Sequence, residues 1–363
     1  MLLLYVFGAS VLVLLGHYLL FHVRLFFYKK PQLPRFSEPI SVVICARNEL
    51  QNLRRNLPLV LCQKNANFEV IVVNHQSEDG TAAFLHRMQQ QYPNFRAYNF
   101  EYKEGTGKKP ALSYGISKAK AEHLVLTDAD CRPVSENWLA EMSSRFNQGD
   151  IVLGYSSYQN QKGWLHKIIA WDTLLTAQNY FGMALAGEPY MGVGRNLAYT
   201  KSLFKKAQGF SAHQHVSSGD DDLFIASVAN SKNTVVCLSA EAFTISKPPQ
   251  SWASWWRQKR RHLSVVSHYP KGVASWLGVF GLAQLLFYAL LPMAIVAVFS
   301  NPFWWWVIGL KLGVQALILL KTTSLLKEKT VLWYFPLAEL CLCLSLTIIH
   351  FQNAFSGAPK KWN

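Results

Sequence analysis

The triplet Asp128-Ala129-Asp130 closes the apolar run Leu124-Val125-Leu126. Two carboxylates spaced in this way at a strand exit can both turn toward one hard cation. Such a cation takes oxygen ligands and bridges to substrate phosphates. The run reads as a buried strand, and its carboxyl edge is where open α/β sheets bind ligands. A second acidic group, Asp220-Asp221-Asp222, follows Ser217-Ser218-Gly219 and opens a helical pattern carried by Leu223, Ile225 and Val228. Two readings stay open there. The acids can complement the positive end of a helix, or their crowding can raise a carboxyl pKa toward that of a general base. Gly105-Thr106-Gly107-Lys108-Lys109-Pro110 precedes a helix containing Ala111, Leu112 and Ile116. It is either a diphosphate cradle at a helix N-terminus or a flexible basic loop, and its spacing is not that of a P-loop. His213 and His215 form an H-x-H pair with no third metal ligand at a matching spacing, so they read as a surface loop.

The elements that must hold these groups follow a parallel-sheet rhythm. Ile40–Cys45 is a β-branched run ending at Ala46-Arg47-Asn48-Glu49, and Leu50, Leu53, Leu57 and Val60 continue at helical spacing. Phe68–Val73 gives a second strand ending at Asn74-His75-Gln76-Ser77-Glu78-Asp79-Gly80, followed by a helix with Ala82, Phe84, Leu85 and Met88. Strand, helix, strand, helix and then the Leu124–Leu126 strand predict an α/β domain with a mostly parallel sheet and crossover helices. Polar residues gather at each strand's carboxyl end. Further on, Met191 to Tyr199 reads as a loop entering a strand.

The chain is apolar at both ends. Residues 1–28 form an N-terminal anchor of the roughly 20-residue length a membrane helix needs, without a small-residue cleavage site. Residues 273–351 carry about three more such stretches, Val273–Phe299, Phe303–Leu320 and Val331–Phe351. Residues 37–247 between them are mixed and turn-rich, enough for one α/β domain. The net charge of +15 is placed for a membrane rather than for nucleic acid. Arg24, Lys29, Lys30 and Arg35 follow the first span, and Arg257, Lys259, Arg260 and Arg261 precede the second. The positive-inside rule then predicts a multi-pass protein of the inner (cytoplasmic) membrane with its soluble domain on the cytoplasmic side. Lys321, Lys327 and Lys329 agree, whereas Lys360 and Lys361 fall outside on a count of four spans. A re-entrant C-terminal segment would remove that conflict, and Pro292 points to Val273–Phe299. Trp252-Ala253-Ser254-Trp255-Trp256-Arg257-Gln258-Lys259-Arg260-Arg261-His262 combines tryptophans with cations just before a span, which predicts an amphipathic helix over 250–268 lying in the headgroup plane. The six cysteines form no CxxC pair and predict neither a disulfide framework nor a zinc site.

The order A-R-N-E, V-V-N-H-Q-S-E-D-G-T, G-K-K-P-A-L, T-D-A-D, G-x-G-R-N-L-A-Y, G-D-D-D-L-F, R-Q-K-R-R-H resembles the membrane-bound inverting glycosyltransferases of family 2. The resemblance covers the soluble section and the interfacial helix. It implies a GT-A-type fold, a nucleotide-diphosphate sugar as donor and Mg²⁺ or Mn²⁺ as cofactor. It also implies that Ala46, Arg47 and Glu49 line the nucleotide pocket, that Asp79 closes its second loop, and that Lys109, with Lys108, approaches the base or diphosphate. Asp128 would contact ribose or diphosphate and share with Asp130 the holding of the metal. Asp221 would be the base, with Asp220 and then Asp222 behind it. Gln258 and Arg261 match the Q-x-x-R of the family's Q-x-x-R-W. Two departures stand out: Asn74-His75 replaces the usual aspartate pair, which puts uridine in doubt as the donor base, and His262 replaces the tryptophan. A lipid acceptor at the membrane is expected, with a processive polysaccharide synthase or a silent nucleotide-binding scaffold as alternatives.

Overall fold

The computed structural model describes residues 1–64, 67–101, 107–216, 218–299 and 301–357. Gly105, Thr106, Ser217, Lys360 and Lys361 therefore lie outside the described residues. The chain divides into two compact units. One comprises Lys30–Asn160 and Gly187–Pro249, the other Met1–Lys29, Gln161–Ala186 and Gln250–Ala358.

In chain order the elements begin with α1 (Leu2–His17), a π-turn over Tyr18–His22, and α2 (Val23–Phe26). Next come β1 (Ile40–Ala46), α3 (Leu50–Leu61), β2 (Phe68–His75), α4 (Thr81–Gln91) and β3 (Phe95–Phe100). They are followed by α5 (Lys109–Lys118), β4 (His123–Leu126), β5 (Arg132–Pro133), α6 (Trp138–Ser144), β6 (Ile151–Gly154) and β7 (Ser156–Tyr158). After α7 (Trp164–Leu185) the chain forms β8 (Leu197–Thr200), α8 (Lys201–Lys206), α9 (Asp222–Val228), β9 (Thr234–Cys237) and β10 (Thr244–Ser246). It ends with α10 (Trp252–Val265), α11 (Lys271–Val298), α12 (Phe303–Leu325) and α13 (Phe335–Ser356).

In the sheet unit, seven strands lie in the order β3-β2-β1-β4-β8-β6-β9. All neighbours pair in parallel except at β8, which is antiparallel to both β4 and β6. The predicted mostly parallel α/β sheet is present. Every residue of β1 is buried, as expected for a parallel strand covered on both faces, which reads as a continuous apolar run. The chain steps from β1 to β2 on one side and to β4 on the other, so the carboxyl ends of β1 and β4 flank a topological switch point. A smaller sheet, β5-β10-β7, lies in the same unit.

Gly115 of α5 lets that helix seat against the sheet. A Cβ there would stand 2.8 Å from a Val43 methyl and 2.9 Å from one of Val73. Gly115→Leu is therefore expected to destabilise by about 1–3 kcal/mol through overpacking, read as a lowered urea midpoint at unchanged slope.

Among the described residues, four helices of the helical unit are long and apolar enough to cross a membrane: Leu2–Phe26, Lys271–Ala297, Phe303–Leu325 and Phe335–Ser356. α11 runs unbroken through Pro292, so that proline does not mark a turn back. The stretch Gln161–Ala186, expected inside the soluble domain, belongs to this unit instead as α7. Its apolar side chains surround the helix together with Lys167 and Asp172, which gives no one-sided stripe to read in the sequence. A buried polar knot ties three of the long helices. Glu339 of α13 accepts from Gln284 (2.9 Å) and Tyr288 (2.6 Å) of α11 and from Gln315 (2.9 Å) of α12, and it pairs with Lys311 at 3.4 Å. Ionisable groups within spans are costly unless partnered in this way. On α10, Ser251 and Ser254 cap the first turn reciprocally, and Lys259 pairs with Asp172 of α7.

Candidate active site

The site is assembled where β1, β2 and β4 end. Beyond β1, Asn48 takes a left-handed conformation (φ 57°), and its side chain accepts from Glu78 N at 2.8 Å. Asp79 stitches the two loops together. One of its oxygens accepts from Leu50 N (3.0 Å), and the other from Thr81 N (3.1 Å) and Thr81 Oγ1 (2.6 Å). Its slight burial works against ionisation, but those donors hold its pKa below the usual carboxylate value. Asp79 thus fixes the shape of the edge. Ala46 is the buried end of β1, and Arg47 and Glu49 follow it, both partly exposed. Glu49 is raised to about 7 by burial, by the nearby Asp130 and Asp128, and by Asp79, against a hydrogen bond from Asn52.

At the end of β4, ligand atoms of Asp128, Asp130 and Cys131 lie within 4.8 Å of one another. Burial, then the charge of Asp128, pushes the Asp130 carboxyl upward, and Arg195 and Lys108 only partly offset this. Crowded carboxylates that resist ionisation are what a divalent cation relieves, so the oxygen donors fit such an ion. The thiol of Cys131 is held protonated by burial and by the same carboxylates.

Lys108 links the two acidic groups, with its Nζ 2.6 Å from Asp128 Oδ1 and 3.0 Å from Asp220 Oδ2. Burial opposes its charge, but the two carboxylates outweigh that and hold the ammonium well above its ordinary range. Asp220 in turn is pulled down: its burial is outweighed by Lys108 and a backbone donor. Asp221, the N-cap of α9, accepts from Gly194 N (2.7 Å) and Asp222 N (2.8 Å). Burial and then Asp220 raise it to about 6, against those two donors and Lys108. Asp222 is buried and accepts from Leu223 N at 2.8 Å. Capping and crowding meet in one residue: the acid that caps α9 is also the carboxyl raised to about 6. Cys45, Lys108, Thr127, Gly194, Asp220 and Asp221 line one small cavity.

Lys109 does not share this role. It is buried and donates to the carbonyls of His213 (2.6 Å) and Val216 (2.9 Å), anchoring the segment that leads to the acids. Burial lowers it to about 8 despite Asp220, Asp222 and Asp221. Lys108 is thus the lysine that reaches Asp128 and Asp220: the two residues straddle the start of α5, and consecutive helical positions point in different directions. His213 is buried against this segment. Removing the bridging cation should be costly, since it leaves two carboxylates without their partner. Lys108→Met is expected to destabilise by about 3 kcal/mol, the low end for a broken buried pair because Asp128 is 31% exposed. Calorimetry should show this as a melting temperature lower by roughly 6–12 °C.

Arg195 was not singled out from the sequence. Its guanidinium lies 4.2 Å over the Tyr158 ring and donates to Ser246 Oγ (2.9 Å) and Ser156 O (3.2 Å), while Thr127 Oγ1 donates to its carbonyl (2.9 Å). It therefore presents a fixed positive charge toward Asp130. The neighbouring Asn196 is buried with its amide fully used, by Trp138 Nε1 (3.0 Å) and by the carbonyls of Tyr155 and Ala242 (2.8 Å each). The only signal in the sequence was the G-R-N-L-A-Y motif. Asn74, at the end of β2, is buried and donates to Asn99 Oδ1 of β3 at 2.8 Å. Gln258 and Arg261 lie on α10, in the helical unit.

A largely parallel sheet with one reversed strand, carrying a carboxylate pair at the switch point and a second acidic group across a bridging lysine, defines a GT-A domain. The glycosyl transferase family 2 model matches residues 41–207, a match that spans the β1–β8 part of this sheet. The probable glycosyltransferase YdaM of Bacillus subtilis is 25% identical over 233 residues, 61% of this chain and 54% of that protein. A poly-beta-1,6-N-acetyl-D-glucosamine synthase of Staphylococcus epidermidis is 26% identical over 195 residues, 53% of this chain and 44% of its own. The chain thus spans about half the length of these curated relatives. Among solved structures, the mannosyltransferase PcManGT of Pyrobaculum calidifontis, in complex with GDP-Man and Mn²⁺, superposes with a TM-score of 0.58 at 17% identity, covering 93% of this chain and 99% of that one. That likeness is one of fold.

Proposed function

We propose that this protein transfers a sugar, with inversion, from a nucleotide-diphosphate sugar to a lipid acceptor, at the cytoplasmic face of the inner membrane. The observation that carries this reading is Lys108 held between Asp128 and Asp220. It ties Asp128 and Asp220 to one cation, and we read the first as donor-side and the second as acceptor-side. Asp130 with Asp128 would hold Mg²⁺ or Mn²⁺, and the solved fold neighbour was captured with GDP-Man and Mn²⁺. When bound, such an ion neutralises charge on the leaving diphosphate.

The chain's own groups do the rest. Ala46, Arg47 and Glu49 border the nucleotide pocket, and Asp79 holds its loops in register. Lys108 offers positive charge to the diphosphate once a substrate competes for it. Asp221, poised near neutral pH, accepts the proton of the acceptor hydroxyl, and attack from the opposite face inverts the anomeric centre. Gln258 and Arg261 keep the donor- and acceptor-side role that the family likeness implies. The buried amide of Asn74, where a carboxylate is usual, supports a donor base other than uracil.

The processive reading has one observation in its favour, the relative named as a polymer synthase. Against it stands the small number of long apolar helices, four among the described residues. The deciding experiment uses the purified protein in lipid nanodiscs with Mn²⁺ or Mg²⁺ and a panel of nucleotide sugars, measuring released nucleotide with and without membrane lipid. Release from one donor, dependent on lipid and abolished by a chelator, is expected. A ladder of sugar polymer without lipid would favour the synthase. Metal-dependent nucleotide binding with no release from any donor would leave only a binding scaffold.

A further inference from the structure

The helical unit carries its own record of which way each long helix runs. α1 and α11 are antiparallel: Phe21 packs on Trp276, His17 stacks on Phe280 at 4.0 Å, and Phe7 stacks on Phe287 at 5.4 Å. α12 then returns. Its start meets the start of α1, where Trp304 packs on Phe7, and its end meets α7, where Gln178 Nε2 lies 3.4 Å from Thr322 Oγ1. Lys311, further along α12, lies over the Phe287 ring of α11 at 4.4 Å, so the end of α12 returns toward the start of α11. A fourth simple crossing would carry the C-terminal end of α13 to the opposite face.

The contacts of α13 exclude that course. Its first turn lies well along α11, where Tyr288 Oη donates to Glu339 Oε2 (2.6 Å) and lies 3.3 Å from Pro336 O. Its last turns are fastened to α10. Trp256 Nε1 donates to Gln352 Oε1 (2.7 Å), Arg260 Nε to Asn353 Oδ1 (2.9 Å), and Asn353 Nδ2 back to Arg260 O (2.8 Å), with Arg260 also on the Gly357 carbonyl. The lengths agree. From Lys271 to Gln284 α11 climbs about 20 Å, and from Glu339 to Asn353 α13 descends about 21 Å, at the α-helical rise. The connection, residues 326–334, holds a turn and the 3₁₀ helix Lys329–Trp333, which passes back beside α12 at a rise of about 2 Å per residue.

The structure assigns three crossings, not four: α1, α11 and α12 traverse, while α13 is threaded inward by residues 326–334 and returns to the face of α10. This rests on the membrane reading above. It moves the turn-back expected at Pro292 to the α12–α13 connection. The C-terminal end of α13 then shares a face with Lys321 and Lys327, as the positive-inside rule favours. Asn353 holds Arg260 at its side-chain Nε and at its backbone carbonyl, fastening the end of α13 to α10.

The test uses the full-length chain in sealed membrane vesicles of both orientations, labelled with a membrane-impermeant maleimide and read by peptide mapping. The native, exposed Cys62 reports the face of the sheet unit. N301C reports the α11–α12 connection, and S356C the end of α13. The expected result is that position 356 labels together with Cys62, and position 301 only in the opposite orientation. Position 356 labelling with 301 would overturn the three-crossing assignment and leave the membrane reading intact. All three labelling from one face would mean that the unit does not span, sinking both. Should S356C fail to accumulate, carboxypeptidase access to the unmodified tail in the same vesicles gives the same decision.

Discussion

Asp221→Asn is expected to lower kcat by about 10²–10⁴, the usual worth of a positioned general base, while nucleotide-sugar binding stays within a few-fold of the parent. The geometry selects this residue from three neighbouring acids. Asp220 is committed to Lys108 and pulled down in pKa, and so is a weak proton acceptor. Asp221 is held by two backbone donors and pushed up to about 6 by burial and by Asp220. Only the ionised form accepts a proton. The sign follows: kcat/KM should rise about tenfold per pH unit below about 6 and level off above. Glu49, at about 7, is the other group able to shape that limb. Glu49→Gln should keep the break near 6, whereas Asp221→Asn should erase it. The amide of the variant can accept from only one of the two backbone donors, so its melting temperature must be measured alongside. A variant that folds and still turns over at the parental rate would transfer the base role to Asp220.

Asp130→Ala carries the second large effect. Metal stabilisation of a departing diphosphate is worth several kcal/mol, and at 1.36 kcal/mol per decade the loss should reach about 10²–10⁴ in kcat/KM. A readout independent of turnover is Mn²⁺ binding by electron paramagnetic resonance, which should be lost from the variant. A third follows from the raised Asp130 carboxyl. A group whose folded pKa is raised costs stability once it ionises, so without metal at neutral pH the variant should melt higher than the parent. With Mn²⁺ present the order should reverse, because the ion stabilises only the chain that binds it. Parental metal binding in the variant would place the ion elsewhere and reduce Asp130 to a buried spectator.

Much of this architecture was legible residue by residue. The runs Ile40–Cys45, Phe68–Val73 and Leu124–Leu126 became β1, β2 and β4, since short β-branched runs bounded by polar turns have few other ways to be buried. Asp128 and Asp130 then had to lie at a sheet's carboxyl edge, and the acids after Gly219 had to open a helix. The apolar ends likewise declared four long helices, because a bilayer's thickness sets a length that a sequence displays directly.

Tertiary structure alone decided the pairings. Whether Lys108 or Lys109 meets the carboxylates depends on the angular phase of α5 against the sheet, which a one-residue difference reverses. β8 runs antiparallel between β4 and β6, and nothing in Leu197–Thr200 records the direction of its neighbours. The pKa of Asp221 comes from burial beside Asp220 with donors from Gly194 and Asp222. α7 joined the helical unit because its partners are distant in sequence, His17 and His22 on Asn179 by more than 150 residues. The course of α13 was hidden for the same reason. Hydropathy reports that a helix prefers lipid, but its direction is set by what Glu339 and Asn353 touch. The sequence by itself determined which groups are chemically able and which segments are apolar, because those are properties of residues and their near neighbours. Which able groups meet, and which way each long helix runs, was decided by contacts between distant parts of the chain.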